Sequence, residues 1–524
     1  MNLKKNAGRI MTVAAAAVWF LMFAWIIFFL ARHGKMVLHS DASAEMVLAD
    51  LLNKEHAFLT TNWYYSTELR VLNTQFIFKL CLLLSPGNWH IARVMATGML
   101  LLILSVACIC LGRMVHSYAC GFILAFLCIT PFGKWTANNI SFHAYYVPHL
   151  TIGIVSFILF TLASRNLRAG SRLKTAVFAG LLCLLAFVSC LGGIRMLMVS
   201  YIPLFMTCLL MLIPKANRQL LPERFKVWLL SFLALICGVI GYLVNSKVLQ
   251  KKYAFFNFEG TTFHEFDLNS LFSGLGQMVG QFGWRRSPAV SLAGVGNGLA
   301  LLLAAMVLVG NAVMISDLKA SEEKRYFSVF TVCAFLFVMT ILSQVGETID
   351  SYEIPVTPFI FASMIAGIFK LKDRFRTDLF ILAMIAGGFV CAKATFTDPL
   401  LDTIPPTAPI AKAYEFIESQ GYTAGLGTFW NTHVITEWSD GRIETWPMAN
   451  FVLANQPNWL QLKREGKFPE GRFYLMASWD ELEGQGIDPA ILDSCRVYSD
   501  ENFIICEFAN GDEYESILGH VYEQ

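Results

Sequence analysis

The sequence predicts a polytopic α-helical membrane protein that carries a soluble α/β domain at its C-terminus. Of the 524 residues, 56% are apolar and only 15% are charged, and the mean hydropathy is +0.54. Because roughly a quarter of the residues in a soluble globular protein are charged, this composition excludes an ordinary cytosolic enzyme. The apolar residues form long runs rather than alternating with polar ones, which excludes an outer-membrane β-barrel.

The net charge of +2 conceals two oppositely charged regions. Residues 1–399 contain 33 Lys and Arg against 18 Asp and Glu, whereas residues 400–524 contain 7 against 20. A basic, apolar region followed by an acidic, polar one indicates two domains. We therefore predict a transmembrane domain over 1–399 and a soluble domain over 400–524. The positive charge belongs to the membrane loops, and no nucleic-acid partner is expected.

Apolar runs long enough to cross the hydrocarbon core as helices recur along the first domain. They predict about eleven transmembrane helices, each needing about 20 residues. The runs lie near 11–31, 91–111, 114–131, 146–163, 175–192, 195–213, 227–245, 290–315, 327–343, 354–369 and 378–394. The first run is too long for a signal peptide and is followed by further spans, so we interpret it as a transmembrane helix.

Clusters of Lys and Arg lie in alternate loops, on the same side as the N-terminus. These clusters are Arg165/Arg168/Arg172/Lys174, Lys215/Arg218/Arg224/Lys226, Lys319/Lys324/Arg325 and Lys370/Lys372/Arg374/Arg376. The positive-inside rule makes that side cytoplasmic. An odd number of spans then places the C-terminal domain outside the cytoplasmic membrane, together with long loops at 32–90 and 246–289.

The first external loop carries the most informative polar residues. It opens with His39-Ser40-Asp41-Ala42-Ser43-Ala44-Glu45, and an amphipathic segment suited to the membrane surface follows. Asp41 stands where the first span leaves the membrane, and Glu45 lies one helical turn further along the same face. Asp41 could cap this surface helix or act as a general base, and both interpretations fit the residues.

The distribution of carboxylates narrows the candidates for an external base. Between Glu68 and Glu223 the chain has no acidic residue. The first loop offers Asp41, Glu45, Asp50, Glu55 and Glu68. We take Glu45 and Glu68 as acidic residues that support Asp41. Trp63 and Tyr64, just before Glu68, are candidate rings for binding a sugar or acceptor, or members of the interfacial aromatic belt.

Three segments resemble those of bacterial GT-C glycosyltransferases. They are Ser40-Asp41-Ala42-Ser43-Ala44-Glu45, the stretch from Trp63 to Gln75, and Phe429-Trp430-Asn431-Thr432-His433-Val434-Ile435-Thr436-Glu437. The many helices, the long first external loop and the external C-terminal domain also resemble that superfamily, which uses polyprenyl-phosphate-linked sugars as donors. The resemblance implies a multi-pass protein of the bacterial inner membrane that transfers a sugar to a glycan, lipid or protein acceptor.

The resemblance also implies roles for individual residues. It assigns the general base to the acidic residue after the first span, which is Asp41. Some GT-C enzymes bind a divalent cation through acidic residues of the next external loop, but residues 133–143 contain no carboxylate. Since a hard cation prefers carboxylate oxygen, we expect no required metal. Asn138, Asn139 and His143 in that loop are expected to hydrogen-bond sugar hydroxyls.

External arginines are candidates for binding the phosphate of a lipid-linked donor, because a planar guanidinium can bind phosphate through two N–H groups. Arg195 follows Gly192-Gly193-Ile194 at an outer helix end, and Arg285 and Arg286 lie in the loop 246–289. Arg195 could instead anchor the helix at the membrane interface, and Arg285 and Arg286 could form a solvated surface pair. We expect these arginines to border one outward-facing cavity with Asp41.

The tail has the pattern of a soluble α/β domain. The pattern predicts a helix over 408–420, strands over 424–429, 443–446 and 472–477, and a hairpin that joins 496–498 to 503–508. Cys495 faces Cys506 in that hairpin, so both a disulfide and two thiols fit the sequence. Trp430, Trp438 and Trp446 could bind an acceptor, but core packing is the simpler interpretation of these rings.

Two other functions stay open at the level of sequence. A translocase of polysaccharide or lipid-linked glycan needs mid-membrane ionisable residues and internal repeats, and the apolar runs show almost none of either. A polymerase or ligase of surface polysaccharide would differ mainly in using a longer lipid-linked donor.

Overall fold

The computed structural model describes most of the chain. The described residues are 2–66, 68–69, 71–133, 136–213, 220–255, 265–284, 290–317, 320–344, 353–371, 408–448, 460–464 and 468–519, with short pieces between 378 and 392. They contain seven helices that are long and apolar enough to cross a membrane. These helices are Gly8–Val37, Trp89–Val115, Val147–Arg168, Arg172–Cys190, Leu221–Lys252, Gly294–Ile315 and Glu322–Leu342. The predicted class, a polytopic helical membrane protein, is confirmed.

Three further predicted spans are shorter apolar helices. They are Tyr118–Ile129, Leu197–Leu210 and Ile354–Lys370. The first is only 12 residues long, so by itself it is too short to cross about 30 Å of hydrocarbon. The eleventh predicted span, near 378–394, is described only in short helical pieces, among them residues 385–389. The predicted domain boundary near residue 400 lies outside the described residues.

The N-terminal region consists of helices joined by short loops and two short strands. Its elements are α1 (Asn2–His33), α2 (Ser40–Lys54), β1 (Trp63–Tyr65), α3 (Gln75–Leu84), α4 (Trp89–Val115), α5 (Tyr118–Ile129), α6 (Val147–Arg168), α7 (Arg172–Cys190), α8 (Ile202–Leu210), α9 (Leu221–Val244), α10 (Gln250–Lys252), β2 (Ala254–Phe255), α11 (Leu268–Gln281), α12 (Leu292–Ile315), α13 (Glu322–Leu342) and α14 (Thr357–Lys370). Three π-helical segments interrupt it, at Ala137–Phe142, Leu197–Tyr201 and Asn245–Leu249.

Glycine pairs allow two of the helix contacts in this region. A Cβ atom on Gly112 of α4 would lie 2.3 Å from the Cα atom of Gly121 in α5. A Cβ atom on Gly367 of α14 would overlap the carbonyl group of Gly310 in α12. Because small residues let backbones approach within a membrane, these contacts take the place of a hydrophobic driving force between helices.

Several ion pairs gather at one end of the helical region. Arg165 pairs with Glu323 at 2.6 Å, Arg224 pairs with Glu322 at 2.8 Å, and Lys370 pairs with Asp317. Arg165 stands 16 residues after His149 in the same helix, which is about 24 Å along the axis. His149 belongs to the opposite end, where the C-terminal region packs. Charged side chains therefore mark both ends of the helices.

The C-terminal region contains a five-stranded sheet with helices around it. Its elements are α15 (Ile410–Ser419), β3 (Ala424–Thr428), α16 (Phe429–Trp438), β4 (Glu444–Met448), β5 (Gln461–Leu462), β6 (Phe473–Ser478), α17 (Trp479–Gly484), β7 (Arg496–Ser499), β8 (Phe503–Phe508) and α18 (Gly511–Leu518). The strand order is β4-β3-β6-β8-β7, with β3 parallel to β4 and β6, and β8 antiparallel to β6 and β7. The predicted strands, hairpin and first helix are confirmed, but α16 had not been predicted.

The two tail cysteines lie close together as thiols. Cys495 and Cys506 are buried, and both sulfur atoms contact the carbonyl oxygen of Leu492, at 3.4 Å and 3.8 Å. The structure thus has the free-thiol form of the two alternatives that the sequence leaves open.

A second, three-stranded sheet joins three segments that are distant in sequence. β1 pairs in parallel with β2 and antiparallel with β5. It therefore ties the segment after α2 to the segment after α10 and to the tail. Beside this sheet, α16 packs along α2, and the ring of His433 lies 6.2 Å from the ring of Trp63 and 5.7 Å from that of Phe429.

Cysteine labelling tests which end of the protein faces outward. In a background lacking the exposed Cys110, we expect the exposed position of Asp512→Cys to react with a membrane-impermeant maleimide in intact cells. Ser316→Cys, at the end that carries the ion pairs, should react only after permeabilisation because basic loops stay cytoplasmic. If only Ser316→Cys were labelled in intact cells, the protein would have the opposite orientation to the one predicted.

The buried His433 should make the fold sensitive to acid. Burial, with the nearby positive charge of Arg464, lowers the pKa of His433 from 6.5 to about 3. Below pH 6.5 the unfolded chain therefore binds a proton at this residue that the folded chain does not bind. The free energy of unfolding falls by about 1.4 kcal/mol for each pH unit below about 6.5. Thermal unfolding in detergent at pH 7 and pH 5 should show a smaller shift for His433→Gln than for the parent. The same substitution at the exposed His116 should leave the parental shift unchanged.

Candidate active site

Glu68, His149 and Arg195 meet at the end of the helices that faces the C-terminal region. Nε of Arg195 donates to Oε1 of Glu68 at 2.7 Å. Nε2 of His149 donates to Oε2 of the same carboxylate at 3.1 Å. The guanidinium of Arg195 also lies over the ring of Tyr146, 4.9 Å from its centroid. One carboxylate thus joins a guanidinium and an imidazole that come from separate segments.

Local structure explains why these three side chains converge. Glu68 follows β1, which is held on both sides in the three-stranded sheet. The N–H of Leu69 donates to the carbonyl of Gly192 at 2.8 Å, which fixes the next residue against the turn before Arg195. His149 belongs to the first turn of α6, directly after Pro148. Arg195 lies two residues before a π-helical segment, a local widening that often occurs at functional sites.

The cluster borders an open cleft of about 310 Å³, a volume that includes the solvent at its mouth. The cleft is lined by Glu68, Leu69, Leu72, Asn73, His149, Ile152, Ser189, Gly192, Gly193, Arg195 and Met196. The polar lining is mixed, with a carboxylate, a guanidinium, an imidazole, an amide and a hydroxyl. Such a set can donate hydrogen bonds to an anion and accept them from hydroxyl groups.

The structure places Asp41 and Glu45 on the first two turns of α2. Glu45 is buried, and its carboxylate accepts a hydrogen bond from the hydroxyl of Thr74, whose neighbour Asn73 lines the cleft. Asp41 is only half-buried and is the second residue of the helix, while His39 occupies the capping position. Of the predicted acidic residues Asp41, Glu45 and Glu68, Asp41 is therefore the most exposed, although it does not line the cleft.

His143 has an interior position rather than an open one. It is buried, and its Nε2 lies 2.9 Å from the carbonyl oxygen of Val37. The ring of His39 meets it edge-on with centroids 4.7 Å apart. Burial, together with the charges of His39 and Arg93, lowers the pKa of His143 well below its ordinary value. The expectation that His143 binds sugar hydroxyls fails on accessibility, because the side chain is enclosed by protein.

The remaining predicted site residues differ in accessibility. Trp63 is fully buried against α2 and α16, so its predicted contact with a sugar or acceptor is corrected to core packing. Tyr64 is half-buried beneath the ammonium of Lys463, 5.2 Å from the ring centroid. Asn138 and Asn139 are half-buried in the π-helical segment that precedes His143. Arg285 and Arg286 lie outside the described residues.

Sequence reasoning missed three important residues, namely His149, Arg93 and Glu437. His149 and Arg93 are ionisable residues inside apolar runs, which is a signal for a functional or paired group. Glu437 lies in a segment that carried the resemblance, but nothing in the sequence indicates its partner. Each of the three pairs across more than 80 residues, as between His149 and Glu68.

Among the described residues, no group of three or more His, Cys, Asp and Glu side chains could hold a metal ion. The predicted independence from a metal stays a prediction, since the described residues cover only part of the chain. What the cluster itself offers is a fixed, oriented guanidinium beside hydrogen-bonding groups. This arrangement suits a phosphate or another anion.

The structure is similar to that of ArnT from Cupriavidus metallidurans, a GT-C glycosyltransferase. ArnT bound to undecaprenyl phosphate aligns with 93% of this chain and 98% of its own, with a TM-score of 0.55 and 11% identity. Apo ArnT aligns with 94% and 98%, with a TM-score of 0.56 and 10% identity. The fold is therefore a GT-C fold, and this part of the predicted resemblance is confirmed.

Another solved structure is less similar. An oligosaccharyltransferase from Archaeoglobus fulgidus aligns with 84% of this chain and 65% of its own, at 12% identity and a TM-score of 0.49, too low to support an inference. No family model matches the chain, and no curated protein matches it.

Proposed function

We propose that the chain is a membrane glycosyltransferase that transfers a sugar from a polyprenyl-phosphate donor to a glycan, lipid or protein acceptor. The observation that carries this proposal is the cluster of Glu68, His149 and Arg195 at the end of a GT-C fold against which the C-terminal region packs. It offers an oriented cation for the donor phosphate. The neighbouring helix α2 carries Asp41 as a candidate base.

The basic loops and the position of the tail support a location. We place the protein in the bacterial cytoplasmic membrane, with the N-terminus inside and the cluster and tail on the outer face. A lipid-linked donor would reach the cleft from the membrane through its polyprenyl chain. The binding of undecaprenyl phosphate by ArnT supports this class of donor.

In the proposed reaction Asp41 removes the proton from an acceptor hydroxyl. The resulting oxygen attacks the anomeric carbon, and the bond from that carbon to the phosphate oxygen breaks. The polyprenyl phosphate leaves with the electron pair. Asp41 suits this role better than Glu45 because Glu45 is buried and already accepts the hydroxyl hydrogen of Thr74.

Arg195 stabilises the negative charge that develops on the departing phosphate. Glu68 and His149 hold Arg195 in place before the donor arrives, so little reorganisation accompanies the reaction. Tyr64, Asn138 and Asn139 are half-buried and could still contact the sugar or the acceptor. We assign no step to a metal ion.

Asp41→Asn should fold and reach the membrane normally, because Asn keeps the size and hydrogen-bonding capacity of the side chain. Sugar transfer in membranes supplied with lipid-linked donor should fall about a hundredfold or more, as removal of a positioned base typically gives. Glu45→Gln is the control for a nearby carboxylate and should retain most activity if its role is structural. Transfer by Asp41→Asn at the parental rate would make the catalytic assignment wrong.

Arg195→Lys tests the contact with phosphate. Lysine keeps the positive charge but loses the planar fork, so we expect the KM for the lipid-linked donor to rise about tenfold, the effect of losing one charge-assisted hydrogen bond. The KM for the acceptor should stay at its parental value. An unchanged donor KM would show that Arg195 does not bind the phosphate and would favour its alternative role as an interface anchor.

A further inference from the structure

A buried ion pair links the two regions of the protein. Arg93 of α4 and Glu437 of α16 are 344 residues apart, and their side chains are only 2% and 3% exposed. The contact is bidentate. Nε of Arg93 donates to Oε1 of Glu437, and Nη2 donates to Oε2 at 2.7 Å. This geometry holds both side chains in one fixed relation.

The same arginine also holds the beginning of α2. Nη2 of Arg93 donates to the carbonyl oxygen of Ala42 at 2.9 Å. The guanidinium lies over the ring of Phe78, 5.2 Å from its centroid, which fixes its plane. Ala42 follows Asp41 in the first turn of the helix. Arg93 therefore connects a carboxylate of the C-terminal region to the backbone beside the proposed base.

Further contacts of the tail surround this turn. Nε1 of Trp438 donates to the carbonyl of Lys35 at 3.3 Å, just before α2. The carboxylate of Asp440 accepts the backbone N–H of Trp89 at 2.7 Å, at the start of α4. The end of α16 and the residue two positions after it thus contact the segment before α2 and the first residue of α4, the helix that carries Arg93. The C-terminal region therefore contacts the surroundings of the first turn of α2 at several points.

Stability alone does not account for this pair. Removing two charges from water is costly, and replacing a buried ion pair with apolar residues often leaves stability unchanged or improves it. The hydrophobic contacts between α2 and α16, which include Ala44, Leu48 and Phe429, already hold the two helices together. What apolar residues could not supply is the directional bond to the Ala42 carbonyl.

We propose that Glu437 is a positioning residue for sugar transfer, and that through Arg93 it fixes the turn of α2 that carries Asp41. The inference rests on the proposed function in which Asp41 is the base. A base must lie within hydrogen-bond reach of the proton it removes, and a displacement of about 1 Å can cost a hundredfold in rate. The C-terminal region is in this way part of the catalytic arrangement without contacting the substrate.

The test is the double substitution Arg93→Met/Glu437→Leu, which removes both charges together and leaves neither buried alone. We expect a thermal midpoint in detergent equal to or above the parental one, and a kcat lower on the order of a hundredfold. The donor KM should stay within about twofold, because Glu68, His149 and Arg195 belong to other elements. A parental kcat in the folded double variant would overturn the inference.

Arg93→Lys provides a second variant that keeps the buried charge pair. A single ammonium cannot reproduce both the bidentate contact with Glu437 and the bond to Ala42, so kcat should fall while the protein stays folded. Parental kcat in this variant would also contradict the inference. The matched control is Lys54→Met/Asp50→Leu, which removes an ion pair at the other end of α2 and should be fully active.

A double-mutant cycle with Asp41→Asn separates this inference from the proposed function. If Asp41→Asn alone transfers at the parental rate, the proposed function fails before the pair is considered. If Asp41→Asn is impaired, adding Arg93→Met/Glu437→Leu should lower the residual rate by less than about threefold, because the positioned base is already absent. A further loss as large as in the parent would show that the pair acts independently of Asp41.

Discussion

A charge in the hydrocarbon core of a membrane has no water to solvate it, and this constraint decides where the chemistry of the protein can lie. The ion pairs of Arg165 and Arg224 occupy one end of the helices. Those of Arg195 and Arg93 occupy the other. The first set ties neighbouring helices together, and its pair of Arg224 and Glu322 borders a small pocket. The second set borders the cleft beside Glu68 and contacts the C-terminal region, and we base the proposed active site on this end.

The same constraint explains why the site is assembled from distant parts of the chain. Each crossing takes about 20 residues, so helix ends on the same side that are not joined by one loop are separated by at least two crossings. Glu68, His149 and Arg195 come from three such places. The sheet of β1, β2 and β5 and the contact of α16 with α2 then hold these segments in register. Without such connections, short loops could not fix side chains to within hydrogen-bonding distance.

Sequence reasoning succeeded where a residue's role follows from its immediate neighbours. The seven long apolar helices and the strands of the tail follow from apolar runs and alternation. The roles predicted for Glu68 and Arg195 stay predictions. Sequence reasoning failed where the burial of a side chain decides its role. Trp63 and His143 have polar atoms that suit a sugar, yet both are enclosed by segments far away in sequence. The partners of Arg93 and His149 leave no periodic pattern, so the sequence could show that each was unusual but not what it binds.

The pairing of Arg195 with Glu68 raises the question of how an arginine that already has a carboxylate partner could serve a phosphate. A guanidinium has five N–H donors spread over a plane, and Glu68 takes the one on Nε. Because the donors lie in one plane, a guanidinium can bind one oxyanion at Nε and another at its terminal nitrogen atoms. Tyr146 covers one face of the plane and prevents the side chain from rotating away. The pairing with Glu68 and the proposed binding of phosphate are therefore complementary, because the first orients the cation that the second requires.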